Sequence, residues 1–191
     1  MSDRFDHHDH DTDVWPRPAR TFDVVLCHSM LEVSHDPVLA LEQMLRVLQP
    51  GGHIALASVA YSGMIRGGPH LELIERFFAV RERVWARLEP PADPRIGHRL
   101  PELLDRAGFT EIDVHAHYIS YGTPDAVRAF GLARAADFDD PGYRDVALEH
   151  GFLTKAELAD TKRAWAAWSA SPAAFVAFPW CRAVGRKPNA S

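Results

Sequence analysis

Residues able to carry proton-transfer, nucleophilic or metal chemistry crowd one short stretch, Cys27-His28-Ser29 followed by Glu32 and His35. Imidazole is the side chain best suited to moving a proton near neutral pH, which makes His28 the candidate base. A second group sits near the N-terminus, where His7, His8 and His10 alternate with Asp6, Asp9 and Asp11. Those side chains could ligate a metal, but no flanking pattern fixes their geometry, so residues 1–10 read as a flexible polar tail and no metal site is assigned. Glu32 and His35 read as capping the next helix or facing solvent.

The elements around the first group give it a position. Phe22 to Cys27 is an apolar run. Asp36-Pro37 then starts a helix carrying Val38, Leu41, Met44, Leu45 and Leu48 at helical spacing. That helix should stop at Pro50-Gly51-Gly52, before a second apolar run, Ile54 to Ser58. A strand, a helix and a strand in this order form the unit that builds a buried parallel sheet. Ligands in such sheets sit beyond the carboxyl ends of the strands, where Cys27, His28 and Ser29 fall.

Downstream, Leu71, Ile74, Phe77, Phe78, Val84, Trp85 and Leu88 run at helical spacing in a stretch, 59 to 98, that should leave the sheet. The simpler of two readings is a helix packing its own face on the core; the other is a lid over an apolar ligand. His98 to Phe109 reads as helix and glycine stop, and Thr110 to Tyr121 as an alternating strand. Thr123-Pro124, Asp140-Pro141 and the capping box Thr154-Lys155-Ala156-Glu157 start three further helices. These helices, about 123–170, form an insertion before a last strand at 176 to 187.

The string FD-V-V, L-E, D-P, helix and R-V-L-Q-P-G-G before a strand resembles the class I S-adenosylmethionine (SAM)-dependent methyltransferases, closest to the small-molecule branch called type 11. Leu103-Leu104-Asp105-Arg106-Ala107-Gly108-Phe109 and the closing Val184-Gly185-Arg186-Lys187 also match that family's habits. The resemblance implies an α/β, partial Rossmann-like fold, with strands 4-5-7-6 of the family's 3-2-1-4-5-7-6 sheet, over residues 11–187. It implies SAM as cofactor and a small-molecule acceptor. Asp11 would accept from the adenine amino group and Thr12 would bring its backbone to the ring. Cys27 and His28 would lie by the cofactor, His28 as the base, and Tyr61, Tyr118 and Tyr121 would line the acceptor pocket.

One departure stands out. The family's glycine-rich turn, D/E-x-G-x-G-x-G, which lets backbone approach the cofactor, is not among these 191 residues. The chain therefore reads as an N-terminally truncated methyltransferase or, alternatively, a catalytically inactive remnant or partner subunit. In either case Val24, Val25 and Leu26 should lie on an open sheet edge, to be covered by a second copy (a homodimer), by a separately encoded N-terminal half or by residues upstream of an incorrectly assigned start, or else to leave the chain marginally stable.

Composition bounds the rest. Apolar content of 47% supports a sizeable core, and a net charge of −5 does not suggest a nucleic-acid partner. No apolar run is long enough to span a membrane. Two cysteines make no disulfide framework, and a cytoplasmic location is expected.

Overall fold

The computed structural model describes residues 18–89 and 91–189. The described residues divide into two compact units: 18–59, 95–116 and 181–189 form the first, and 60–89, 91–94 and 117–180 the second. The expectations for Asp11, Thr12 and the histidine-rich tail lie outside the described residues.

In the first unit, strand β1 (Phe22–His28) leads through a short 3-10 turn at Leu31–Val33 to helix α1 (Pro37–Val47) and strand β2 (Leu48–Val59). Asp36 starts α1 as expected: its Oδ1 accepts the backbone N–H of Val38 at 3.0 Å and of Leu39 at 2.9 Å. Two donors that the first turn cannot pair internally are thereby satisfied, while Pro37 supplies a helical φ without needing a partner. Leu41, Met44 and Val47 form the buried stripe of α1.

The helix ends before the Pro-Gly-Gly, at Val47, and the Pro-Gly-Gly lies inside β2. The register explains how. Phe22 pairs with Leu48, but Val24 pairs with His53, so β2 carries extra residues at its start. Gly51, at φ +78, makes that irregularity possible. A side chain on Gly52 would stand 2.9 Å from the Gln49 carbonyl and 3.0 Å from that of Asp23. From Val24 to His28 the two strands run parallel without a break. Lys187 fastens the carboxyl end of α1, its Nζ donating to the carbonyls of Leu45 at 2.7 Å and Leu48 at 2.8 Å.

Strand β4 (Thr110–Tyr121) and strand β5 (Phe175–Arg186) are long enough to run through both units. Strands are hydrogen-bonded in the order β1-β2-β5, and β4 also pairs with β5. This is the 4-5-7-6 order expected from the resemblance. Among the described residues β1 has one strand neighbour, β2. Phe22, Val24 and Leu26, on one face of β1, are 38%, 55% and 78% exposed, whereas Cys27 on the other face is buried. The expected open edge is thus present among the described residues. Helix α3 (Leu100–Arg106) buries Leu100, Leu103 and Leu104 and ends at Gly108, φ +91, as the glycine stop predicted.

The second unit is built around aromatic rings. Residues 59 to 98 do not wholly leave the sheet, because Ile65–Gly67 forms a short strand, β3, antiparallel to β5. Trp168 holds it, donating from Nε1 to the Gly67 carbonyl at 2.8 Å. Helix α2 (Leu71–Trp85) buries Ile74, Phe77, Phe78, Val80 and Val84. Phe77 and Phe78 are fully buried, so this face is core rather than lid. The three predicted helix starts all form: α4 (Pro124–Ala136), α5 (Pro141–Glu149) and α6 (Lys155–Ser169). Both halves of the capping box are made at Thr154 and Glu157. Phe77 stands edge-on to Trp165 at 5.3 Å, and Trp165 to Trp168 at 5.4 Å, geometry that aromatic quadrupoles favour.

Candidate functional site

At the carboxyl end of β1 the backbone turns sharply. His28 pairs with Ala57, and Ser29 then enters the left-handed region at φ +51 while its N–H still reaches the Ala57 carbonyl at 3.0 Å. A non-glycine residue there is strained by about 1 kcal/mol or more. The surrounding bonds hold it, so His28 and the following turn are placed rather than loose. The His28 side chain is exposed.

Cys27 points the other way. Burial first, and the Glu32 carboxylate second, push its thiol up to about 11. It is therefore a protonated, apolar group at neutral pH and no nucleophile. Any cofactor contact from Cys27 has to come from its backbone or its packing.

Glu32 corrects the sequence expectation. It neither caps α1, a role taken by Asp36, nor faces solvent. It is 8% exposed, and its Oε1 accepts the backbone N–H of Val59 at 3.1 Å. The turn after β1 is thereby tied to the end of β2. The other oxygen, Oε2, is buried without a hydrogen-bond partner. A buried half-paired carboxylate is costly, and this one lies where parallel sheets hold ligands. Gly97 closes the same end. A side chain there would come within 2.7 Å of the Ser58 carbonyl and 2.8 Å of the Val59 carbonyl. Sequence reading missed Glu32 because its burial depends on Val59, 27 positions away.

In the second unit the three tyrosines separate by environment. The rings of Tyr61 and Tyr121 both pack on Phe178, with centroids at 5.3 and 6.0 Å. Burial raises the Tyr61 phenol, against the opposing pull of Arg81 and Arg134. Tyr118 is 47% exposed and donates its hydroxyl to the Gly63 carbonyl at 3.0 Å. Tyr61 and Tyr121 are therefore brought together, and Tyr118 braces the turn that follows Tyr61.

Beside them is a charged group that the sequence reading did not single out. Arg81 Nη1 donates to Asp137 Oδ2 at 2.6 Å, and Arg134 Nε approaches the same oxygen at 3.4 Å without hydrogen-bond geometry. Burial raises the Asp137 carboxyl even though both guanidiniums oppose the shift. Burial and the like charge of Arg81 lower Arg134. The Arg81 guanidinium lies 4.5 Å from the Trp85 ring centroid, a cation–π contact.

Among the described residues no cluster of three or more His, Cys, Asp or Glu is arranged to hold a metal, and no helix is long and apolar enough to cross a membrane.

Residues 4–56 match the family model described as a methyltransferase domain, type 11. No curated protein is significantly similar to the chain. Among solved structures, a candidate methyltransferase from Bacillus halodurans aligns over 91% of this chain and 73% of its own, at 13% identity and a TM-score of 0.50. The YcgJ protein of Bacillus subtilis aligns over 92% and 68%, at 12% identity and a TM-score of 0.50. Phosphoethanolamine N-methyltransferase 2 of Haemonchus contortus, solved with S-adenosylhomocysteine, aligns over 93% of this chain but 36% of its own, at 15% identity and a TM-score of 0.43. Residues 4–56 thus resemble a methyltransferase domain, and the chain has the mixed α/β fold of these two Bacillus proteins, with its strands ordered β1-β2-β5-β4.

Proposed function

We propose that the chain is part of a SAM-dependent methyltransferase acting on a small-molecule acceptor. The observation that carries this reading is the family-matched β1-α1-β2 segment, with a fixed turn and a buried, half-paired Glu32 at the carboxyl end of its strands. SAM supplies a methyl group on a positively charged sulfonium, so the protein's task is chiefly to position donor and acceptor.

The residues present fit only part of that cofactor. Left-handed glycines occur at Gly51, Gly68, Gly108 and Gly151, and none of them follows β1 to cradle the cofactor with backbone N–H groups. The cofactor site needs the free side of β1 to be covered by further chain. In this proposal Asp11 and Thr12 meet the adenine, and Cys27 and His28 lie against the cofactor. His28 takes the acceptor's proton where the acceptor is an O–H or N–H. Tyr61, Tyr118 and Tyr121 line the acceptor side.

Calorimetric titration of the purified chain with S-adenosylhomocysteine, with the oligomeric state followed by sedimentation, tests this without knowledge of the acceptor. Saturable micromolar binding by an assembled species is expected. A folded chain that binds none in any assembly state overturns the enzymatic reading for these residues. It would leave the second reading, a non-catalytic partner subunit, which the exposure of Val24 and Leu26 on β1 favours.

A further inference from the structure

The charged group of the second unit is rich in donors and poor in acceptors. Arg81 and Arg134 share one carboxylate oxygen of Asp137. The Nε–H groups of both arginines and the hydroxyl of Tyr143 are buried with no acceptor. Asp140, the next carboxylate in reach of Asp137, already accepts the Gly142 N–H at the start of α5 at 2.9 Å. Asp139 is held by Lys162 at 2.6 Å. Arg81 and Arg134 are therefore both turned to the one carboxylate of Asp137, and neither Nε–H has an acceptor.

Such a cluster is expensive to leave incomplete, since each unmet buried donor costs about 1–3 kcal/mol. Nor is it sealed: the side chains of Arg81, Asp137 and Arg134 are 14%, 22% and 20% exposed. A planar guanidinium is the group that matches carboxylate and phosphate oxygens in pairs. Aromatic rings border it, with Trp85 on Arg81 and Phe130 5.4 Å from the Arg134 guanidinium. The Tyr61 phenol feels both arginines and Tyr121, and Arg134 feels both phenols, so Tyr61 and Tyr121, two of the tyrosines assigned to the acceptor, lie within electrostatic reach of the same charges.

We propose that Arg81 and Arg134, with Tyr143, form a binding subsite for an anionic oxygen group, a carboxylate or phosphate ester, on an aromatic or otherwise apolar small molecule. This rests on the reading of the second unit as the acceptor-binding part. The ligand's oxygens would accept from the two Nε–H groups and displace none of the bonds that Asp137 makes. Asp137 sets the affinity, because it competes with the ligand for the same guanidiniums.

The test titrates the full chain with benzoate, phenyl phosphate and, as the neutral control, benzyl alcohol, following tryptophan fluorescence and heat. Saturable binding of at least one anion, without saturation by the alcohol, is expected. Whichever anion binds more tightly identifies carboxylate or phosphate. Arg134→Gln should weaken that binding about tenfold or more, the loss expected for a charged hydrogen bond. Asp137→Asn, which leaves a hydrogen-bond acceptor but no charge, should tighten it. Should Arg81→Gln fail to fold, these two variants and the wild-type titration still decide. No saturation by either anion at millimolar concentration in a folded chain overturns the proposal, as does equal binding in Arg134→Gln. Anion binding without S-adenosylhomocysteine binding would uphold the subsite and refute only the cofactor assignment.

Discussion

Glu32 offers the sharpest test of how the carboxyl end of β1 is built. Its Oε1 accepts the Val59 N–H at 3.1 Å, and its Oε2 is buried with no partner. A hydrogen bond to an ionised group contributes about 1.5–3 kcal/mol, while an unmet buried polar atom costs about 1–3 kcal/mol. The two nearly cancel, so the charge itself adds little net stability. Glu32→Gln keeps an acceptor for Val59 and removes the buried charge, and should change stability by less than about 1 kcal/mol. Glu32→Ala strands the Val59 N–H and should lose about 2 kcal/mol. Urea unfolding, read as a change in midpoint at constant slope, measures both.

A second readout separates charge from packing. Glu32 is the second-largest cause raising the Cys27 thiol, after burial. Removing its negative charge lowers the pKa and increases the thiolate fraction at any pH below it. In a Cys181→Ala background, the alkylation rate of Cys27 at mildly alkaline pH should rise severalfold in Glu32→Gln, since the thiolate is the reacting form. The thiol stays above its ordinary range because the burial contribution is untouched. Equal alkylation rates, together with equal midpoints for the Gln and Ala variants, would refute both the contact with Val59 and the electrostatic pairing with Cys27.

Two further substitutions test the frame around this site. Gly97→Ala drives a methyl group against the Ser58 and Val59 carbonyls, neither of which can swing aside as a side chain would; a loss of about 2–3 kcal/mol in thermal or urea unfolding is expected. Lys187→Met removes a charge that donates to the carbonyls of Leu45 and Leu48 at the end of α1; about 1–2 kcal/mol should go, with faster amide exchange in the last turn of α1.

The elements were legible in the sequence where local chemistry decides them. Asp36-Pro37, Thr123-Pro124, Asp140-Pro141 and the Thr154–Glu157 box each start a helix because the capping partners lie within three residues of one another. The strand order was legible only through the resemblance, since no residue pattern states which strands pair. What escaped depended on distant partners. The Pro-Gly-Gly joined β2 because its backbone is shaped by pairing with β1, not by its own preference to turn. Glu32 looked like a surface residue until Val59 supplied its donor. Arg81, Arg134 and Asp137 look like ordinary helix-surface charges in sequence; Arg134 and Asp137 are three residues apart, but Arg81 reaches Asp137 across 56 positions, which no local spacing announces.

The exposure of β1 ties the two readings of function to one physical fact. Phe22-Asp23-Val24-Val25-Leu26-Cys27 has the near-continuous apolar character of a strand buried on both faces, yet Phe22, Val24 and Leu26 are all well exposed. A strand with this composition and one described neighbour invites pairing on its other side. Covering it would bury apolar side chains worth about 25 cal/mol for each Å² removed from water, and would satisfy the remaining backbone groups of β1. The same covering chain would stand next to His28 and the turn at Ser29, which the proposed function sets beside the cofactor. Assembly on β1 and completion of the cofactor site are then one event. Stability and S-adenosylhomocysteine binding should therefore rise together with chain concentration, rather than independently.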